Sequence, residues 1–303
     1  MTRVSQRFAL LPLLALASLA SAGTLDLDDP DDRIRAALKT NCSQNDLEPA
    51  IYWWDGRVWS RRVGEPDRHL FDVQGMNIRH CQTVRDPVRG LGYKSRSREV
   101  MFYLDRDTGQ VLRNWENPWT GKRVKVIQVA NDPPGPPGRV SWARDEKGEP
   151  QGSADRFPVR SGLVLSGGGA ARLFYENPMG GDYQQYVGGW YHAMEFLTAA
   201  TPVEDLLDAD NPAVTDRVIS WGRISKWLPW MEMGDLEGIL IFHTAGMRLD
   251  NFDQMPEVMK AEIRSNYSIY EQPPPIDDPS PKQTSWTVTK QAIDAERARE
   301  SGD

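Results

Sequence analysis

Four stretches of this 303-residue chain carry side chains able to move protons or hold a ligand. In GWYHAMEF, strand alternation puts Tyr191 and Glu195 on one face, and His192, Met194 and Phe196 on the other. Turned into a pocket, a phenol beside a carboxylate is an acid–base pair; turned outward, both are ordinary surface residues. WGRISKWLPWMEMG gathers Trp221, Arg223, Trp227 and Trp230 with two methionines. As a pocket wall, Trp and Met supply apolar contact and Arg fixes an anion. The same stretch also reads as core with a stacked, ion-paired arginine. In NWENPW, Glu116 stands between Trp115 and Trp119. A carboxylate buried among indoles has a raised pKa, which suits a general acid near neutrality. RHLFD offers His69 as a proton carrier, with Arg68 in a surface ion pair by default. Alternation pairs His69 with Phe71 on one face. Trp54 completes the set of candidate ligand-binding residues.

A nucleophile is harder to find. SGLVLSGGGAARLFYENP runs an apolar strand into Gly167–Gly169, which resembles the anion-binding loop of patatin-like lipases. That chemistry requires a Gly-x-Ser-x-Gly turn downstream. Neither Ser220 nor Ser225 sits in one, and ARLFYENP continues as a strand where the loop needs a helix N-terminus. The glycine run is therefore expected to be a hairpin tip. The four histidines show no zinc-binding spacing, and neither a P-loop nor a dinucleotide fingerprint is present. The expectation is of no cofactor and no metal.

These residues need a scaffold, and the chain supplies mostly strand signals. Arg3 and Arg7, the apolar run Phe8–Leu19 and the small residues Ala20-Ser21-Ala22 form a signal peptide over residues 1–22, cleaved near Ala22. The run is short of the ~20 residues a membrane span requires. The mature chain is expected to be soluble and exported, periplasmic or secreted. Loss of the two arginines takes the formal net charge from −7 to −9, which disfavours phosphate backbones, so nucleic acid is not an expected partner. An oxidising compartment favours a Cys42–Cys81 disulfide, worth about 4 kcal/mol on the chain-entropy model, over two buried thiols.

DPDDRIRAALKTNC predicts a helix capped by Asp31 or Asp32. IYWWDGRVWSRR predicts a hairpin turning at Asp55-Gly56. REVMFYLDRDTGQVLRNWENPWTGKRVKVIQVAND predicts three strands with turns at residues 107–109 and 118–121. TPVEDLLDAD predicts a helix with Thr201 as N-cap and Pro202 first inside it. MPEVMKAEIRSNY predicts another, with Met255, Met259 and Ile263 on one side. The fold expected is mainly β, an antiparallel barrel or strongly curved sheet with two or three short helices. It forms one domain over residues 23–275, with a proline-rich, charged tail over 276–303 that lies on the surface or is disordered.

Three segments together, YWWDGRVWSRRVGEPDRHLFDVQGMNIRHC, VLRNWENPWTGKRVKVIQVANDP and WGRISKWLPWMEMGDLEGILIFHTAGMRL, resemble the bacterial family called domain of unknown function 1838. The resemblance covers roughly residues 50–275, with Trp-Leu-Pro-Trp-Met its most specific element. It implies one exported domain and no particular chemistry. The residue types then leave three classes. The first is an acid–base enzyme (lyase, isomerase or hydrolase) acting on a small apolar or aromatic molecule without a cofactor. The second is a binding or carrier protein for such a molecule. The third is a cell-envelope interaction protein, which requires an exposed apolar patch.

Overall fold

A computed structural model of the chain describes residues 23–133, 138–153, 156–167, 170–176, 179, 183 and 190–302. The expected signal peptide, Gly168 and Gly169, and the centre of the proline-rich loop lie outside the described residues.

Long strands dominate because Val, Ile, Trp, Tyr and Phe recur on alternate positions. β1 (Ala50–Arg61), β2 (Arg68–Asp86) and β3 (Gly90–Leu104) form a meander, followed by the short β4 (Asn114–Glu116), β5 (Arg123–Lys125), β6 (Val129–Asn131) and β7 (Val140–Trp142). Then come β8 (Val159–Arg160), β9 (Leu163–Ser166), β10 (Ala170–Glu176), β11 (Trp190–Pro202), β12 (Val218–Ser225) and β13 (Ile239–Leu249). Eleven strands make one antiparallel sheet in the order β6-β3-β2-β1-β13-β12-β11-β9-β8, with β10 also on β11 and β7 on β3; β4 and β5 form a separate hairpin. The chain is thus mainly β, but the sheet is open and strongly curled, and the closed barrel is corrected. A flat sheet would hold β3 and β11 five spacings apart, about 24 Å. Here Met101 and Tyr103 of β3 line the same cavity as Tyr191 of β11. The curl brings the two sides face to face without a hydrogen-bonded seam.

The concave face carries a core of Val58, Phe71, Val73, Tyr103, Leu240 and Phe242, roofed by the β4–β5 hairpin and the 227–233 turn. The convex face of β1–β3 packs Met76, Val100 and Phe102 under α3 (Glu257–Asn266), from which Met259 and Ile263 project with neighbouring Met255, on one side as expected. α1 (Pro30–Asn41) is capped by Asp29, whose carboxylate accepts from the backbone N–H of Asp31 at 2.7 Å and of Asp32 at 3.2 Å. Asp31 instead pairs with Arg144 at 2.7 Å. Cys42 and Cys81 form the expected disulfide, with Cα atoms 5.8 Å apart, and it fastens the end of α1 to β2.

Three further local expectations change. Asp55-Gly56 lies in the middle of β1, not in a turn. Gly56 is there because a Cβ would stand 2.1 Å from the His243 carbonyl oxygen on β13. β9 and β10 follow one another along the same edge of β11, pairing with residues 199–202 and 190–196. Gly167 therefore continues an edge and does not reverse the chain. In α2 (Val203–Leu207) the N-cap is Pro202 and no side chain caps the helix. The Thr201 hydroxyl instead accepts from Arg217 at 3.0 Å.

Residues 272–284 are strapped along β3. Lys94 meets Asp277 at 2.7 Å, Arg96 donates to the Asp278 carbonyl, and Arg98 donates to the carbonyls of Ile269 and Gln272 at 2.7 and 3.0 Å. The strap leads into α4 (Ser285–Ser301), which spans the open side of the sheet from Asn131 of β6 to Tyr191 of β11. Only Thr289 and Ile293 of its seventeen residues are buried, so it is among the more weakly anchored elements of the fold.

Candidate functional site

Rows of paired residues run across the concave face. One row sets Val58, Phe242, Arg223 and Glu195 side by side on β1, β13, β12 and β11. Arg223 reaches Glu195 Oε1 at 2.8 Å through one terminal nitrogen and the Tyr191 hydroxyl at 2.6 Å through the other. Its Nε is buried without a partner. Burial opposes the Arg223 charge, but Tyr191 and Glu195 outweigh it and hold the guanidinium above its ordinary pKa. Tyr191 is 2 % exposed. Burial also raises the Tyr103 hydroxyl well above its usual value, while nearby Arg223 pulls it back down.

Arg223, Tyr191 and Tyr103 border a cavity of about 60 Å³ walled by Met101, Trp221, Trp230 and Phe242 and closed by Ser285, Trp286 and Thr289 of α4. Trp286 stands edge-on to Tyr191, ring centroids 4.7 Å apart. The space holds a few waters and is smaller than the ~150 Å³ that accommodates a benzene. A second cavity, about 220 Å³, separates α4 from β5 and is also bordered by Trp230.

Another row runs Asn131, Glu99, Asn77, Tyr52, Arg248 across β6, β3, β2, β1 and β13. Glu99 accepts from Asn131 Nδ2 at 2.9 Å. Burial raises its pKa, the Asn131 hydrogen bond opposes that rise, the Glu195 charge adds to it, and Arg79 opposes it. The charge of Glu195, distant in sheet order, thus reaches Glu99 across the curl. Between the rows Trp54 lies flat over Gly75, where a Cβ would stand 2.2 Å from the indole. The Trp54 N–H is buried without a partner, and the ring faces Trp221 at 6.4 Å.

The site-bearing strands all fall inside the region recognised by one family. A model described as "Protein of unknown function (DUF1838)" matches residues 47–293. The chain belongs to the DUF1838 family. The match runs into α4 and so includes the helix that closes the cavity. No curated protein matches this DUF1838 chain.

Of the residues singled out by sequence, the fold brings Tyr191, Arg223, Trp221 and Trp230 to one cavity, pairs Glu195 with Arg223, and puts Trp54 beside Trp221. Trp115, Trp119 and Trp227 go elsewhere. They stack on one another in the roof, with Trp119 Nε1 donating to Glu65 at 3.0 Å and Trp227 Nε1 to the Leu236 carbonyl at 2.8 Å. Glu116 is exposed opposite Arg123 on the outer hairpin and is not buried among the indoles, which removes the expected general acid. His69 is on the outer face, paired with Trp59 and 2.8 Å from Asp72, because a bulge between Val58 and Trp59 shifts the register. Phe71 remains in the core and the expected His69–Phe71 alternation fails. Sequence reading missed Glu99, Asn77, Tyr52, Arg79, Arg217 and Arg248. Alternation at 77, 79 and 99 was the available signal, but it does not say which face is concave. Among the described residues no group of three or more His, Cys, Asp or Glu is placed to hold a metal ion.

Proposed function

We propose that this protein is an exported acid–base enzyme that binds a small aromatic molecule on the concave face, beneath α4. The observation that carries the reading is the pair Glu99 and Glu195. Burial favours the protonated form of Glu99, while Glu195 is ion-paired to Arg223. A carboxyl whose proton burial favours, and a second one held by a guanidinium, can serve as acid and base. In this assignment Glu99 donates the proton, Glu195 accepts one, and Tyr191 and Arg223 hold the charge that develops between them. Trp221, Trp230 and Phe242 supply the apolar wall. Because the closed cavity is smaller than an aromatic ring, substrate entry requires α4 to swing out and withdraw Trp286. A disulfide, and the absence among the described residues of a helix long and apolar enough to cross a membrane, fit export.

The test is a panel of aromatic acids, phenols and neutral aromatics followed by tryptophan fluorescence, with product analysis of each binder. Trp286→Ala is expected to bind more tightly than wild type, and Arg223→Met to lose binding. Glu99→Gln and Glu195→Gln should keep binding but lose rate by about 10²-fold or more. Turnover unchanged in both variants would contradict the assignment. Binding without turnover in wild type would favour the carrier reading.

The interaction-protein reading has its own support. Phe174, Trp190, Phe196 and Ile224 are exposed on the outer face of β10–β12, with Phe174 64 % exposed and stacked on Trp190 at 4.9 Å. Exposed apolar groups of this size mark association surfaces when contiguous.

A further inference from the structure

Beyond the cavity under α4, the other end of the concave face collects three arginines that the acid–base reading does not use. Arg248 is paired with Tyr52 in register, and its backbone N–H donates to the Arg217 carbonyl at 2.9 Å. Arg79, two residues beyond Asn77 on β2, donates from Nε to the Asn77 side chain at 2.7 Å and stacks over the Tyr52 ring at 5.4 Å. Arg217 donates to the hydroxyls of Thr201 and Ser166, each at 3.0 Å. Arg248 donates to the Lys39 carbonyl at the end of α1 at 2.9 Å, and the Tyr52 hydroxyl donates to the Thr40 carbonyl. Every one of these partners is neutral.

Among the described residues none of the three makes an ion pair, and the carboxyl that Arg79 senses, Glu99, has its proton favoured by burial. The guanidiniums repel one another: Arg79 and Arg248 each oppose the charge on Arg217, after burial, which opposes it most. Taking charges from water without a counterion is costly. The α1 carbonyls offset part of that cost, since the negative end of the helix dipole points at Arg248. The Tyr52 ring offsets a little more. Five donors per guanidinium against one or two neutral acceptors leave forks unfilled. Arg248 is buried and Arg79 and Arg217 are half-buried, so the forks are fixed in place while solvent still reaches two of them.

We infer that Arg79, Arg217 and Arg248 form an oxyanion-binding site, built to take the phosphate, sulfate or carboxylate group of a small molecule at the α1 end of the concave face. Fork-shaped donors gathered near Tyr52 from β2, β13 and the segment before β12 match the oxygens of such a group, which supplies the negative charge that the fold omits.

The experiment titrates the intact disulfide-bonded protein with inorganic phosphate, sulfate and malonate at constant ionic strength held by chloride, reading the arginine Nε–Hε NMR resonances and the thermal midpoint together. At least one anion is expected to shift a set of arginine resonances saturably and raise the midpoint with the same concentration dependence. Which anion binds tightest assigns the group as tetrahedral or carboxylate. Arg217→Gln and Arg79→Gln should each weaken that binding by at least about 10-fold. Arg57→Gln, on the outer face and 66 % exposed, should leave it unchanged. No saturable arginine shift with any of the three anions in wild type overturns the inference, whether or not the variants fold. Equal weakening by Arg57→Gln also overturns it, because long-range charge alone would then account for the effect.

Discussion

The two ends of the concave face solve opposite problems. At one end Phe71, Tyr103, Trp115 and Trp230 pack edge to face with centroids 5.3–5.9 Å apart, and the roof tryptophans Trp119 and Trp227 give their N–H groups to Glu65 and Leu236. At the other end Arg79, Arg217 and Arg248 face one another over Tyr52 with neutral partners only. The first end packs against its own residues and stabilises the fold, with Tyr103 and Trp230 also bordering the cavity under α4. The second holds charge that weakens the fold unless something binds. The seam between them, where Arg223 holds Tyr191 and Glu195 and the Glu195 charge reaches Glu99, sets charge beside the apolar wall. Tryptophan thus divides between two uses, Trp221 and Trp230 lining the cavity and Trp115, Trp119 and Trp227 filling the roof, and unbalanced polar groups are the better guide.

The comparison breaks most readily at the aromatic end. Phe71→Ala should cost about 3–5 kcal/mol in denaturant unfolding, as expected for a fully buried ring. A loss below about 1 kcal/mol would mean that the end is not the sealed core described. Next in size, Cys42→Ser with Cys81→Ser should cost about 2–5 kcal/mol. Since the bridge anchors α1, whose carbonyls hold Arg248 and Tyr52, the double variant should also weaken anion binding. Unchanged anion binding would separate α1 from the arginine end.

Glu99 sharpens the seam. Its carboxyl holds a proton more tightly folded than unfolded, so the folded state is penalised once the pH exceeds the unfolded value of about 4.3. Stability should therefore fall as pH rises from there through the raised pKa of Glu99, and that contribution should be level below about 4.3. Glu99→Gln should remove this slope and stabilise the protein near neutrality. A pH–stability curve unaltered by the substitution would place Glu99 in water. The smallest effect belongs to Glu116→Gln, expected within about 0.5 kcal/mol of wild type and without influence on ligand binding.

Much of this architecture was legible from residues alone. The wealth of strands, the turn at Gly109, the disulfide and the side of α3 that packs all follow from residue chemistry. Asp55-Gly56 misled because glycine serves two purposes: a positive φ in turns, and room for the His243 carbonyl in a strand. His69 misled because a bulge, which no side-chain pattern announces, turned it outward. Glu116 misled because adjacency to Trp115 in sequence is opposition on a strand, so burying the indole exposes the carboxylate. Tyr191 and Glu195 were found since they share a strand and a face. Their partners on β3 were not, because only the curl of the sheet brings β3 to β11.

The most direct test of the central claim is native mass spectrometry of the protein purified from a periplasm, followed by denaturation of the same sample. A discrete extra mass released on denaturation is predicted, retained in Glu116→Gln and lost in Arg223→Met, where the cavity keeps its walls but loses its cation. A clean apo mass for wild type and for Trp286→Ala alike, even after incubation with the aromatic panel, would contradict a small-molecule site on the concave face.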